Sequence, residues 1–163
     1  MNSRPSSFVW RQKTTVFVIV GLVLVLLWLV GSYVWFHFKP TTEVRLGAGV
    51  YHLWLADTEA ERIQGLSGVK QLKPNGGLLM DFQTDDTWGI WMKDMKVPLD
   101  IIWLDVDKNV VFMVENVQPE ESTDVVHMPK DKARYVIELP EGAARKAGIK
   151  KGMTASFSVE GGQ

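Results

Sequence analysis

The segment Ile101–Val117, IIWLDVDKNVVFMVENV, is the part of the sequence that decides the fold. It contains two apolar runs, Ile101–Asp105 and Val110–Val117, which are rich in the β-branched and aromatic residues that favour strands. Between them lies Asp107-Lys108-Asn109, whose residue types are typical of a tight turn. The segment therefore predicts a β-hairpin.

Similar apolar runs bounded by turn residues occur on both sides of this hairpin. They predict further strands at Val44–Leu46, Val50–Ala56, Leu78–Phe82, Thr87–Met92, Arg134–Leu139 and Thr154–Val159. With the hairpin, this makes seven or eight short strands. We therefore expect a mainly β domain, either a β-sandwich or a partly open barrel.

Two short helices are predicted within this β pattern. Thr58 and Glu61 have the spacing of a capping box, so a helix should run from there to about Gly65, with Ile63 and Leu66 facing inward. A second helix should begin at Pro140-Glu141 and run to about Lys146. Gly148 stands where a left-handed helix cap is expected.

A long apolar run precedes the β pattern. Thr14–Phe38 has 25 residues and no Asp, Glu, Lys or Arg. As a helix it would reach about 37 Å at about 1.5 Å per residue, enough to cross a bilayer. It is longer than the core of a signal peptide and is followed by no Ala-x-Ala site, so we expect an uncleaved signal-anchor helix. The predicted organisation is a cytoplasmic tail (1–13), a transmembrane helix (14–38), a juncture (39–43) and a soluble β-domain (44–160).

The charge pattern indicates orientation and excludes some partners. Arg4, Arg11 and Lys13 precede the apolar run without any acidic residue, which favours a cytoplasmic N-terminus and an extracytoplasmic domain. From Thr41 onward there are 14 basic and 19 acidic residues, a net charge of −5, which argues against nucleic acid as a partner. The chain has no cysteine, which excludes disulfides, thiolate metal sites and cysteine nucleophiles.

Three blocks of sequence resemble a known family. They are Ala56–Arg62 followed by Gly65-Leu66, Trp91–Met95 followed by Pro98–Ile102, and Val136–Gly142 followed by Gly148–Gly152. Their order and spacing resemble the prokaryotic "domain of unknown function 192" family. The resemblance implies a mainly β, sandwich-like fold, often behind a signal or membrane segment, and no established activity. With the anchor, it implies the plasma (inner) membrane of a prokaryote. The chain departs from the family's usual residues at Ser67, Val69, Asp94, Met95 and Met153.

Three charged residues within these blocks are candidate site residues. Asp100 precedes an apolar strand, and Glu138 interrupts one, where alternation places it opposite Ile137 and Leu139. A buried carboxylate needs a partner, and Arg62 could bridge one or both as an internal ion-pair lock. The alternative is that Asp100 and Glu138 flank a cleft as the paired carboxylates of an envelope hydrolase.

The segment Trp88–Lys93 is a candidate ligand-binding element. Strand alternation places Trp88, Ile90 and Met92 on one face and Trp91 on the other, while Gly89 would leave space beside the rings. An exposed Trp91 with Lys93 nearby would suit stacking on a sugar ring or capture of a small polar ligand. The alternative is that these aromatic residues and methionines are ordinary core residues.

Methionine and histidine suggest a third hypothesis, copper handling. Thioether and imidazole ligands for Cu(I) occur at Met92, Met95, His127, Met128, His52, Met80 and Met113. They form no compact cluster in the sequence, and the histidines are too sparse for a zinc site. We predict no metal site, no cofactor and no catalytic residue.

The leading functional hypothesis is a non-enzymatic, membrane-anchored, extracytoplasmic β-domain. We expect it to bind a small polar envelope ligand or a protein partner. The candidate binding residues are Trp88, Trp91, Lys93, Asp100, Arg62 and Glu138.

Overall fold

The computed structural model describes residues 17, 19–28, 41–119 and 126–159. The chain divides into two compact units, Met1–Lys39 and Pro40–Gln163, and each is described by itself. In the first unit, residues 17 and 19–28 are helical and their large apolar side chains are exposed. Among the described residues, no helix combines the length and the apolar character needed to cross a bilayer. They therefore do not support the predicted transmembrane helix, and the rest of the 14–38 run and the 1–13 tail lie outside them.

The described residues of the second unit form eight strands, of which seven coincide at least in part with predicted strands and one was not predicted. They are β1 (Thr41–Leu46), β2 (Gly49–Ala56), β3 (Gly76–Asp86), β4 (Ile90–Trp91), β5 (Leu99–Leu104), β6 (Val110–Val117), β7 (Val126–His127) and β8 (Ala133–Pro140). Six of them form an open sheet in the order β1-β2-β3-β8-β5-β6, and β4 pairs with β7 in a small second sheet. The domain is mainly β, with the hairpin β5–β6 at one end of the large sheet.

The open sheet differs from the two stacked sheets of a sandwich. Its outer strands β1 and β6 are both contacted by the C-terminal segment, through isolated bridges from Ser156 to Arg45 and from Thr154 to Asn109. Because this segment bonds alternately to two different edges, it does not form the continuous strand predicted at Thr154–Val159. β1 begins at Thr41, within the predicted juncture.

The two-stranded sheet was only partly predicted. Of the expected strand Thr87–Met92, only Ile90–Trp91 pairs, because the backbone carbonyl of Trp88 instead accepts a hydrogen bond of 2.7 Å from the Trp103 indole. Its partner β7 was not predicted, since two residues leave no periodic signal.

Two short helices, α1 (Glu59–Gln64) and α2 (Ala143–Lys146), complete the domain. The capping box is confirmed: the Thr58 hydroxyl accepts from the Glu61 backbone, and the Glu61 carboxylate accepts from the Thr58 backbone. Leu66 is buried as predicted, but Ile63 is 62% exposed, so its inward placement was wrong. The second helix starts later than predicted because Pro140 still pairs with Leu99 in the sheet.

Each face of the large sheet carries its own apolar core. One face packs Ile102, Leu104, Ile137 and Leu139 against β1, β2 and the α2 region. The other face packs Ile101, Trp103 and Val136 with residues of β3 and β4. Because neighbouring residues of a strand face opposite sides, the register across β5 and β8 decides which core each polar residue of these strands meets.

Candidate functional site

A pocket of about 360 Å³ opens on the second of these faces. Helix α1 supplies one wall, β3 another, and the segment Trp88–Trp91 a third. Its lining includes Arg62, Ile63, Leu66, Ser67, Met80, Phe82, Trp88, Trp91, Met95 and Glu138. The pocket thus brings together four of the six predicted binding residues, Arg62, Trp88, Trp91 and Glu138. Lys93 and Asp100 do not line it.

Glu138 is the polar residue of this pocket that most needs a partner. It lies in β8 with Ile101 and Leu78 beside it on the neighbouring strands, and only 4% of its surface is exposed. Its Oε2 atom is buried and has no hydrogen-bond partner among the described residues. Burial away from water raises the pKa of this carboxyl to about 7, because desolvation disfavours the charged form. The carboxyl can therefore exist in either protonation state near neutral pH.

Asp100 has a structural role on the opposite face of the sheet. It pairs with Leu139, whereas Glu138 pairs with Ile101, so the two carboxylates face opposite sides. Asp100 is fully buried; its Oδ1 accepts from the Asn116 backbone and its Oδ2 from the Ala144 backbone, both at 2.9 Å. The prediction that Asp100 and Glu138 form an acid–base pair is therefore wrong, and Asp100 is not a ligand-binding residue of this pocket.

The predicted ion-pair lock is also wrong. Arg62 Nη1 donates to the backbone carbonyls of Asp57 (2.6 Å) and Asp81 (2.8 Å), and the guanidinium lies 5.3 Å from the Phe82 ring centre. The buried ion pair of this region joins Arg134 to Asp81 instead, at 3.0 Å. Arg62 therefore fastens α1 to β3 through main-chain oxygens and leaves Glu138 unpaired.

Aromatic side chains form much of the pocket wall. The rings of Phe82 and Trp88 are stacked, with centres 4.3 Å apart and an angle of 12° between their planes. The Trp88 indole donates to the Thr84 carbonyl at 3.1 Å, which fixes the outer ring of the stack. The stack and this hydrogen bond together hold the two rings in one arrangement, which suits them to form the wall of a binding site.

Trp91 lies at the exposed side of the pocket. The predicted alternation is confirmed for Ile90, Trp91 and Met92, but Trp88 lies outside the strand and lines the same pocket as Trp91. Ile90 and Met92 are buried, while Trp91 is 45% exposed with the Lys93 ammonium 5.5 Å from its ring centre. The open space expected beside Gly89 is partly filled, since a Cβ there would lie 2.5 Å from Val126 of β7. Gly89 thus permits the close approach of β7.

The sulfur and imidazole groups of the copper hypothesis do not form one ligand set. Met80, Met92 and Met95 are buried in one core, whereas Met113 packs against the core on the opposite face. His52 is exposed on β2. In the described part of the chain, no group of three or more His, Cys, Asp or Glu residues could hold a metal ion.

Sequence reasoning missed Phe82, Met80, Ser67 and Met95 as pocket residues. Leu78, Met80 and Phe82 share one strand face, so alternation could have grouped them, but only the pairing of Leu78 with Glu138 shows which pocket they meet.

Comparison with known proteins supports the resemblance noted in the sequence. Residues 42–157 match the model of the DUF192 family, described as "Uncharacterized ACR". A "UPF0127 protein" from Thermococcus gammatolerans is 31% identical over 108 residues, which is 66% of this chain and 67% of the relative. A crystal structure of a candidate transcription regulator from Sinorhizobium meliloti superposes with a TM-score of 0.69 at 26% identity, covering 73% of this chain and 95% of that one. A protein of unknown function from Novosphingobium aromaticivorans gives a TM-score of 0.65 at 26% identity, covering 71% and 83%.

Proposed function

Given that the chain belongs to the domain of unknown function 192 (DUF192) family, we propose that it is a membrane-tethered binding protein for a small ligand, with its site in the pocket beside α1. The observation that carries this proposal is the unpartnered carboxyl of Glu138. A buried polar group without a hydrogen bond lowers the stability of the fold by about 1–3 kcal/mol, and more when it is charged. Such a residue is best explained by a ligand that supplies the missing partner.

The surroundings of Glu138 support binding rather than hydrolysis. Catalysis by paired carboxylates requires a second acid facing the same cleft, and Asp100 faces the other side of the sheet. Glu59 lines the pocket from the first turn of α1, where its side chain is exposed and lacks the buried setting of Glu138. The pocket therefore offers one buried ionisable group on an apolar and aromatic surface, which is the composition of a binding site.

Thermal unfolding of the full chain against envelope sugars, nucleotides, small acids and amines tests this proposal. A ligand at about 100 times its dissociation constant stabilises a protein by about 2.7 kcal/mol, which raises the melting temperature by several degrees. Trp91→Ala should reduce the shift. The matched control is Val106→Ala, because Val106 is 49% exposed and does not line the pocket. The absence of any shift across the panel would refute the small-ligand function and leave a protein partner as the alternative.

The tether and the extracytoplasmic location form the second part of the proposal. They are supported by the charge-free run Thr14–Phe38, by the basic residues before it and by the exposed apolar side chains of the helical residues 19–28. We propose residues 1–13 as the cytoplasmic tail and 44–160 as the exported domain. Protease added to intact spheroplasts should digest the domain; complete protection would place it in the cytoplasm.

DNA binding is not part of this proposal. The Sinorhizobium protein is described as a candidate transcription regulator, but the net charge of −5 from Thr41 onward is unfavourable for contact with phosphates.

A further inference from the structure

The chemistry of the pocket narrows the class of ligand that it can accept, an inference that rests on the binding function proposed above. Only 4% of the surface of Glu138 is exposed, and its neighbours across the strands are the aliphatic residues Leu78 and Ile101. The nearby guanidiniums are bonded elsewhere, Arg62 to main-chain oxygens and Arg134 to Asp81. In its ionised form, the Glu138 carboxyl therefore needs a hydrogen-bond donor or a positive charge that the ligand must bring.

The walls of the pocket also favour a cation. Phe82, Trp88 and Trp91 line the same cavity as Glu138. Phe82 is already stacked on Trp88 and has the Arg62 guanidinium 5.3 Å from its ring centre, so the aromatic surface left for a ligand is that of Trp88 and Trp91. The faces of such rings attract ammonium groups, by about 0.5–1 kcal/mol at exposed sites and more where water is excluded. Leu66, Met80 and Met95 provide apolar contacts for the remainder of a ligand.

Other ligand classes fit less well. A polyol needs many hydrogen-bond partners, but the Ser67 hydroxyl already donates to the Lys93 carbonyl and Arg62 Nη1 is engaged by two carbonyls. An anion would be repelled by the ionised form of Glu138, which prevails above about pH 7. A divalent metal prefers several oxygen ligands, and the described residues contain no cluster of three acidic or histidine side chains.

We infer that the ligand is a small organic amine, bound as an ammonium ion by Glu138 and held by the aromatic wall, with its apolar part against Leu66, Met80 and Met95. The ammonium N–H group donates to the Glu138 carboxylate at the floor of the pocket. Trp91, at the exposed side of the pocket, contacts the part of the ligand that remains partly solvated.

Matched pairs of probes test this inference. Calorimetry on the full chain compares phenethylamine with 2-phenylethanol and phenylacetate, which share the ring and differ in the polar group. We expect the amine to bind at least ten-fold more tightly than the alcohol and the acid not to bind. Glu138→Gln should remove the preference of the amine over the alcohol, and Glu141→Gln, at an exposed carboxyl that does not line the pocket, should retain it.

The outcomes separate the ligand class from the binding function. Equal affinity for amine and alcohol, or a preference that survives Glu138→Gln, would overturn the inference while the pocket remained a binding site. If sugars, nucleotides and acids of the wider panel also produce no shift, the proposed function fails as well. Trp88→Leu provides a second variant: it should weaken the amine more than the alcohol, because only the cation gains from the aromatic ring.

Discussion

At the residue scale, Glu138 and Asp100 show that buried carboxyl groups in adjacent strands can have opposite effects on the stability of the fold. Asp100 is fully buried and accepts two backbone hydrogen bonds, so its burial cost is offset. Glu138 is almost as buried, but its Oε2 atom has no partner among the described residues. Asp100 therefore stabilises the fold, whereas the unpartnered carboxyl of Glu138 destabilises it, and in our proposal a ligand supplies the missing partner.

The raised pKa of Glu138 predicts a particular dependence of stability on pH. Because burial raises the pKa from 4.5 in the unfolded chain to about 7, the folded state binds the proton more tightly. Protonated Glu138 contributes most to the free energy of unfolding below about pH 4.5. This contribution falls as the pH rises and is lost above about pH 7, a total decrease of about 3 kcal/mol. Glu138→Gln should lack this pH-dependent contribution. At pH 8 its unfolding midpoint should therefore lie at a higher urea concentration than that of the wild type.

Urea unfolding at pH 5 and pH 8 measures this effect. Glu59→Gln serves as the control, since its exposed carboxyl should leave the difference between the two pH values unchanged. An equal pH dependence in Glu138→Gln and the wild type would contradict the raised pKa.

Asp100→Ala should act on stability and not on binding. Removal of the side chain leaves the backbone N–H groups of Asn116 and Ala144 without their acceptors, which we expect to lower the free energy of unfolding by about 2–4 kcal/mol. Amine affinity should remain within about two-fold, because Asp100 lies on the face away from the pocket. Calorimetry below the melting temperature checks this. If Asp100→Ala lost as much amine affinity as Glu138→Gln, Asp100 would have to be a binding residue after all.

At the scale of elements, the backbone around Glu138 depends on a glycine in the adjacent strand. A Cβ at Gly77 would collide with the Glu138 carbonyl oxygen, so Gly77→Ala must push β3 away from β8. We expect a loss of about 2 kcal/mol or more in unfolding free energy, together with weaker ligand binding. At Gly76 the nearest atoms are 3.4 Å from such a Cβ, so Gly76→Ala is the matched control. If Gly77→Ala and Gly76→Ala lowered the free energy of unfolding equally, the close approach of β8 to Gly77 would not be what makes this glycine necessary.

The capping box sets the stability of the helix wall of the pocket. Thr58→Ala removes the hydroxyl that accepts from the Glu61 backbone, which should lower the free energy of unfolding by about 1 kcal/mol and speed amide exchange in α1. Thr58→Ser retains the oxygen and should behave like the wild type. Amide hydrogen exchange measured residue by residue distinguishes loosening of α1 from a global loss of stability.

Features encoded by neighbouring residues were predictable, whereas those set by strand register were not. The Thr58–Glu61 box and the strand Val110–Val117 depend on residues close in sequence, and both are confirmed. The grouping of Asp100 with Glu138 required knowing that Asp100 pairs with Leu139, and no local pattern contains that information. The partners of Arg62 were missed for a related reason, because main-chain carbonyls leave no signature in the sequence.

At the scale of the whole molecule, the apolar run 14–38 decides where the proposed site operates. The full chain should sediment with membranes and resist extraction with alkaline carbonate, while a chain lacking residues 1–38 should be released. Leu24→Arg places a charge near the middle of the run, which opposes insertion by about 2.5–3.5 kcal/mol. It should therefore move part of the protein to the supernatant. Ser6→Arg, outside the run, should not.

The anchor and the pocket are expected to act independently. The chain lacking residues 1–38 keeps the complete six-stranded sheet and every residue that lines the pocket. It should therefore bind phenethylamine with the affinity of the full chain. If the same fraction of full-length and truncated protein remained in the supernatant after the membranes are sedimented, the membrane tether would be refuted. A truncated chain that is folded by circular dichroism but binds no amine would instead show that the first 38 residues contribute to the site.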